Sequence, residues 1–446
     1  MEKLQVDISY KQILKIALPI SLALLVPQFN YIINNIFLGH LSEQALATAS
    51  ITGVYYLIFA GIGFGLNNGL QALMSRRAGE NRPQEIGKIF NQGLLISLLI
   101  AAFGILITYF VAPLVLKGSL RSGETYEMSV HFLKIRIWGL PFLYVYQMRN
   151  ALLVGINRSK YLVAGTLAEA LANIFFDYTL IFGKWGFPHL GFYGAAYASI
   201  IAEFFGMIVI FLVITAKGIG RQFSLMKGLR WDGGHARLIA HMSGPLVMQH
   251  AISIISWIFF YILVEHHGQT SLAVSNTMRN VYGFFGVFLW AFSSATNTMV
   301  SNVIGQGNKE QVLALIGKIV RLCSGVALGV CLLLNLLPEL FLSIYGQGPD
   351  FQQMGVPVLR LVACSMVLMS VSIVWFSSVT GTGNSRVTFG IEVVSICLYT
   401  LYVYLVLEVY RLPILYGWMS EILYWGTTLG LSYWYLQSGK WKSKRI

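Results

Sequence analysis

Long apolar runs separated by short polar connections dominate the chain. One runs from Ile13 to Leu38, another from Ile89 to Leu116 and a third from Ile316 to Leu337. About 20 largely apolar residues suffice for a helix to cross a bilayer. This reading predicts spans near residues 13–38, 46–74, 89–112, 129–153, 161–183 and 193–215. Six more fall near 238–264, 272–300, 316–337, 356–380, 387–407 and 414–437. No alternation of apolar and polar residues recurs in segments of about ten, which argues against a transmembrane barrel. The predicted fold class is therefore an all-α integral membrane protein with twelve transmembrane helices. The longest polar connection, Ala216 to Arg237, carries Lys217, Arg221, Lys227, Arg230 and Arg237. It reads as a cytoplasmic linker (216–237) between an N-terminal six-helix lobe (1–215) and a C-terminal one (238–446) that ends in a short basic tail.

The two lobes repeat. A single shift of 226 residues carries Pro19 of ALPI onto Pro245 of SGPL and Leu46-Ala47 onto Leu272-Ala273. The same shift carries Ser75 and Gly79 of SRRAGEN onto Ser301 and Gly305, and Gly155, Ser159 and Lys160 onto Gly381, Ser385 and Arg386. Two six-span halves share one orientation in the membrane. That predicts a pseudo-two-fold axis along the membrane normal and a binding site near the interface of the halves. The glycines of these motifs are expected in tight turns, with the neighbouring cations facing an anionic leaflet.

Composition supports a membrane protein and narrows its class. Of the 446 residues 56% are hydrophobic and 11% charged, against about 25% charged in average globular usage. The net charge of +13 does not indicate nucleic acid, because the cations sit in short clusters between apolar runs. Alternate connections differ sharply in Lys and Arg, which places both termini in the cytoplasm of a multi-pass plasma (inner) membrane protein. The N-terminus shows no cleavable signal pattern. Cys323, Cys331, Cys364 and Cys397 lie in apolar runs without CxxC spacing, so neither disulfide nor zinc is expected. No nucleophile–base pair, H-E-x-x-H or Walker loop is present, which removes the enzyme classes, and no cofactor is called for.

The remaining chemistry lies in a few polar residues within spans. Glu169, Asn173 and Asp177 are spaced i, i+4, i+8 and form one stripe on span 5. Acids inside a membrane helix usually face a protein interior or a wet cavity and mark ion or substrate pathways. Glu203 follows Ser199 by one turn on span 6 and is a candidate acid of the substrate cavity. Arg149 and Arg279 are buried cations by position, available to neutralise acids or to favour an anionic substrate. Tyr31 and Trp257 are aromatic faces suited to flat cations. Pro19 and Pro27 interrupt the bonding of span 1 and suggest a gating kink. A lone His250 in span 7 reads as a packed residue rather than a proton carrier.

The motifs as a set resemble the multidrug and toxin extrusion family, in its bacterial form. They are LPISLALLVPQFNYIINNIFLGHL in span 1, GLNNGLQALMSRRAGEN closing span 2, LLVGINRSK closing span 4, NIFFDYTLIFGKWGFPHLGFYGAAYAS over spans 5 and 6, and GTGNSR after span 10. The resemblance covers nearly the whole chain. It implies two six-helix lobes, alternating access, and export of small amphipathic, typically cationic compounds against inward proton or sodium flow. It also implies a cation or proton site at Asn173, Asp177 and Ser199. A family acid in span 1 falls here on Asn34, so one of two expected carboxylates is an amide. Proton and sodium both stay open, sodium suiting hard oxygen ligands from Asp177 and neutral neighbours. The implied partners are a small-molecule substrate and membrane lipid, and two lobes in one chain make a monomer sufficient. A lipid-linked precursor flippase of the same superfamily is the alternative.

Overall fold

The structure, a computed structural model, describes residues 3–119, 122–227, 229–346 and 348–444; the side chains of Glu43, Leu46, Ala47 and Ser119 are not described. Arg121, in the connection after span 3, and Arg445, in the basic tail, are among the cations of the alternating Lys and Arg pattern and lie outside the described residues. In the first half α1 covers Tyr10–Leu41, α2 Glu43–Gly79 and α3 Pro83–Phe110. Helix α4 is composite, Gly123–Arg136 and Leu140–Gly155 joined by a 3-10 turn at Ile137–Gly139. Helices α5 (Leu162–Phe182) and α6 (Phe192–Ala216) complete that lobe. The second half repeats the order: α7 Gly233–Glu265, α8 Gln269–Gly305, α9 Val312–Leu336, α10 Pro349–Gly381, α11 Ser385–Val403 and α12 Ser420–Gln437. A π-helical turn, Tyr404–Val409, extends α11. The twelve predicted spans fall on these helices, except that the first residues of the twelfth form a separate short helix, Ile414–Trp418, ahead of α12.

Eight of the helices are long and apolar enough to cross a bilayer on composition alone. The other four are α4, α5, α8 and α12. Two of them show why: α5 holds Glu169, Asn173 and Asp177, and α8 ends in Asn297, Thr298, Ser301 and Asn302, all buried but for Glu169, which is half-buried. Their polar groups face protein, so hydropathy understates how well they fit the bundle. The same effect shortened the predicted second and eighth spans, whose polar last turns remain helical.

The lobes meet through α1 and α2 on one side and α7 and α8 on the other. The contact obeys the sequence repeat residue by residue. Ser75 Oγ donates to Thr298 O at 2.8 Å, and its counterpart Ser301 Oγ donates to Ala72 O at 2.7 Å. A Cβ on Gly79 would lie 2.1 Å from Asn302 O, and one on Gly305 2.3 Å from Arg76 O. Small residues let the backbones of α2 and α8 cross at this distance. Within each lobe, Ser159 donates to Lys15 O at 3.3 Å and Ser385 to His241 O at 3.2 Å, again counterparts.

This geometry corrects the expected role of the motifs. Gly79 and Gly305 are helical crossing points, not turns. The left-handed turn positions are Asn81 and Asn157 in the first half and their counterparts Gly307 and Gly383 in the second. Arg76 does not face a leaflet: it is buried and its Nη2 donates to Gly381 O at 3.3 Å and Thr382 O at 3.1 Å. It thus ties the end of α2 to the carbonyl end of α10 across the lobe interface, where a helix leaves acceptors free. Arg77 pairs with Glu80 at 2.7 Å. The inter-lobe hydrogen bonds named here all lie at the bundle end that bears the motifs.

Candidate functional site

The predicted stripe on α5 meets α1. Asp177 is fully buried and Asn173 nearly so. Asn173 Nδ2 donates to Asp177 Oδ2 at 3.0 Å, and Asn30 Nδ2 donates to Asn173 Oδ1 at 2.6 Å. Asp177 is therefore held in protein rather than solvated at the helix end. Three oxygens stay buried without a hydrogen-bond partner among the described residues: Asp177 Oδ1, Asn30 Oδ1 and Asn34 Oδ1. Buried polar atoms are normally paired, and an unpaired one costs about 1–3 kcal/mol. Two of these oxygens, Asp177 Oδ1 and Asn30 Oδ1, belong to the hydrogen-bonded cluster between α1 and α5, and Asn34 lies one helical turn beyond Asn30 on α1. Sequence reasoning missed Asn30, although it stands one turn before Asn34 on the same face. Among the described residues no hydrogen bond joins Ser199 to this cluster; Ser199 is half-buried on α6.

Glu203, read as a cavity acid, is instead neutralised inside the N-terminal lobe. Arg136 Nη2 and Nη1 donate to its two oxygens at 2.5 and 3.0 Å, and Tyr56 OH donates to Oε1 at 3.1 Å. The guanidinium lies 3.8 Å from the centre of the Tyr56 ring. A Cβ on Gly139 would fall 2.2 Å from Glu203 Oε2, so the pair packs directly against the 3-10 turn of α4 and a side chain there would displace it. Arg136, not Arg149, is the cation that meets an acid. Arg149 is buried, but its Nη1 donates to Met207 O at 2.6 Å and its guanidinium lies 5.1 Å from the Phe211 ring, which makes it a brace on α6. Glu169 shares the stripe of Asp177 yet turns to α6, where its Cβ lies 3.0 Å from a Cβ built on Gly206.

Arg279 is exposed rather than buried, 5.6 Å from the centre of the Tyr261 ring. Trp257 is half-buried and packs 5.8 Å from that same ring. Tyr31 is 58% exposed, so its ring is not shielded by other residues. Pro19 and Pro27 both lie inside α1, which stays helical through them; Pro27 stands one turn before the Asn30 and Asn34 face. His250 packs against Phe64 of the opposite lobe, ring centres 6.5 Å apart.

The cluster has no twin in the second lobe. The 226-residue shift carries Asn34, Asn173 and Asp177 onto Phe260, Tyr399 and Val403. Phe260 and Tyr399 pack as rings 6.3 Å apart. The acids of that lobe lie elsewhere: Glu392 accepts from Ser253 at 2.6 Å and Tyr424 at 2.9 Å, and Glu421 from Trp425 at 3.1 Å. No group of three His, Cys, Asp or Glu side chains among the described residues is arranged to hold a metal.

Two pseudo-symmetric six-helix lobes that meet along one interface are the architecture of a membrane transporter rather than an enzyme. The MatE family model matches residues 19–179 and again 245–405, two segments offset by the same 226 residues as the repeat, and the chain belongs to that family. A probable multidrug resistance protein NorM of Thermotoga maritima is 23% identical over 444 residues, covering 98% of this chain and 94% of the relative. A MOP superfamily transporter of Pyrococcus furiosus shares the fold with a TM-score of 0.89 at 14% identity, covering 100% of this chain and 98% of that one. So does an outward-facing multidrug resistance MATE transporter, with a TM-score of 0.89 at 14% identity over 99% and 98% of the two chains.

Proposed function

We propose that the protein exports small amphipathic, cationic compounds in exchange for inward flow of a monovalent cation. The observation behind this reading is the trio of orphan oxygens, Asp177 Oδ1, Asn30 Oδ1 and Asn34 Oδ1. A proton on Asp177 would serve one or two of them, whereas a sodium ion draws on several hard oxygens at once. The single carboxylate supplies one negative charge to match one positive charge, and Asn34 in place of a second acid leaves sodium the better fit of the two. With the basic linker and both termini cytoplasmic, as the charge asymmetry indicates, the joined end faces the cytoplasm and the state is outward-facing. Binding at α1 and α5 would reshape α1 around Pro27 and release the lobes to rock against each other about the α2–α8 crossing.

The test is dye efflux in proteoliposomes under an imposed sodium gradient, then a proton gradient. Sodium-driven efflux that is lost in Asp177→Asn and gains proton sensitivity in Asn34→Asp is the expected result. Efflux that ignores both gradients, or persists in Asp177→Asn, removes the site from the mechanism.

A further inference from the structure

The linker segment between α6 and α7 has a pattern that transport does not use. Met226, Leu229 and Trp231 are 47, 42 and 59% exposed, and Lys227 and Arg230 are interleaved with them. Two buried amides of α3 hold this segment against the first lobe. Asn91 Oδ1 accepts from Met226 N at 2.8 Å, and Gln92 Oε1 accepts from Asp232 N at 3.0 Å. Beneath the segment lies a cavity of about 500 Å³, lined by Lys88, Gln92, Lys227, Arg230, Trp231 and Asp232 among others. Gln92 is 2% exposed, and its Nε2 has no acceptor among the described residues. A buried donor without an acceptor beside two unpaired cations asks for an anion.

The nearby acids are already engaged. Asp232 Oδ1 accepts from Gly234 N at 2.8 Å and its Oδ2 contacts His235 Nδ1 at 2.7 Å, which turns the carboxylate into the first turn of α7. Glu85 takes Lys88 at 2.8 Å and contacts His235 Nε2 at 3.2 Å. Lys227 and Arg230 make no ion pair among the described residues. Exposed apolar side chains and a tryptophan alternating with cations match the boundary between headgroups and acyl chains, where tryptophan collects and basic pockets take lipid headgroups. We infer that this pocket binds the phosphate group of an anionic phospholipid, with Gln92, Lys227 and Arg230 on the phosphate and Met226, Leu229 and Trp231 in the acyl layer. Because the linker joins the lobes, the lipid fixes one end of α7 against α3.

Native mass spectrometry of the full chain, titrated with phosphatidylglycerol, phosphatidylcholine or inorganic phosphate, tests this. Phosphatidylglycerol should bind at least tenfold more tightly than phosphatidylcholine. Lys227→Ala/Arg230→Ala and, separately, Gln92→Glu should each erase that preference. Gln92→Glu keeps the acceptor for Asp232 N and reverses only the orphan donor, so it separates binding from folding. Lys440→Ala/Lys444→Ala, which removes two cations from the same end of the molecule, should change nothing. Equal binding of the two lipids, equal loss in the tail variant, or saturation by inorganic phosphate at the lipid's own concentration would each overturn the inference. These outcomes are independent of ion coupling at Asp177.

Discussion

Replacing Ser75 and Ser301 together with alanine removes a symmetric pair of hydrogen bonds that holds the lobes shut. Both serines are fully buried, and the bonds measure 2.8 and 2.7 Å. Their acceptors, Thr298 O and Ala72 O, lie inside helices, where each carbonyl also receives its own helical N–H. No orphan acceptor is left behind, so only the net value of each bond is lost, about 1 kcal/mol. The pair is worth about 2 kcal/mol, and since 1.4 kcal/mol is tenfold, the ratio of closed to open states at this end should fall about 30-fold. Spin labels on exposed Gln84 and Asn308, in a chain whose cysteines are replaced by serine, report that ratio as a distance distribution across the joined end. Each single variant should shift it about fivefold, because the two bonds are equivalent by the repeat. A shift below about threefold in the double variant would refute the assignment of this crossing as the closing contact, as would a response to only one of the singles.

Two further outcomes follow from the packing. Glu203→Leu strands Arg136 as a buried charge and should cost about 3–5 kcal/mol, seen as a lower unfolding midpoint in detergent, whereas Arg136→Met/Glu203→Leu should recover most of it. If the double variant is as unstable as the single, the pair is not the reason. Gly79→Ala and Gly305→Ala each force a Cβ to about 2 Å from a backbone carbonyl that cannot turn aside. Each should lose about 1–3 kcal/mol of stability, by the same assay, and the two losses should match. Gly317→Ala in α9, with open space around it, serves as the control and should be neutral or slightly stabilising.

Hydrophobic patterning alone determined the twelve helices, and the 226-residue shift determined that six of them repeat the other six. These are one-dimensional properties, since a span is a count of apolar residues and a repeat is an offset. The stripe of Asn173 and Asp177 was legible for a similar reason, because helical spacing puts i and i+4 on one face. Which neighbour each face meets was not legible. Glu203 looked like a cavity acid until Arg136 and Tyr56 arrived from α4 and α2, more than 60 residues away in sequence. Arg76 looked like a leaflet anchor until α10 brought Gly381 to it. Asn30 was overlooked because an amide in an apolar run draws attention only when α5 supplies its partner. A side chain's charge and its place on a helix are written in the sequence. Whether that charge is paired, shared or left waiting for an ion depends on which other helix it faces, and only the packing of the bundle decides that.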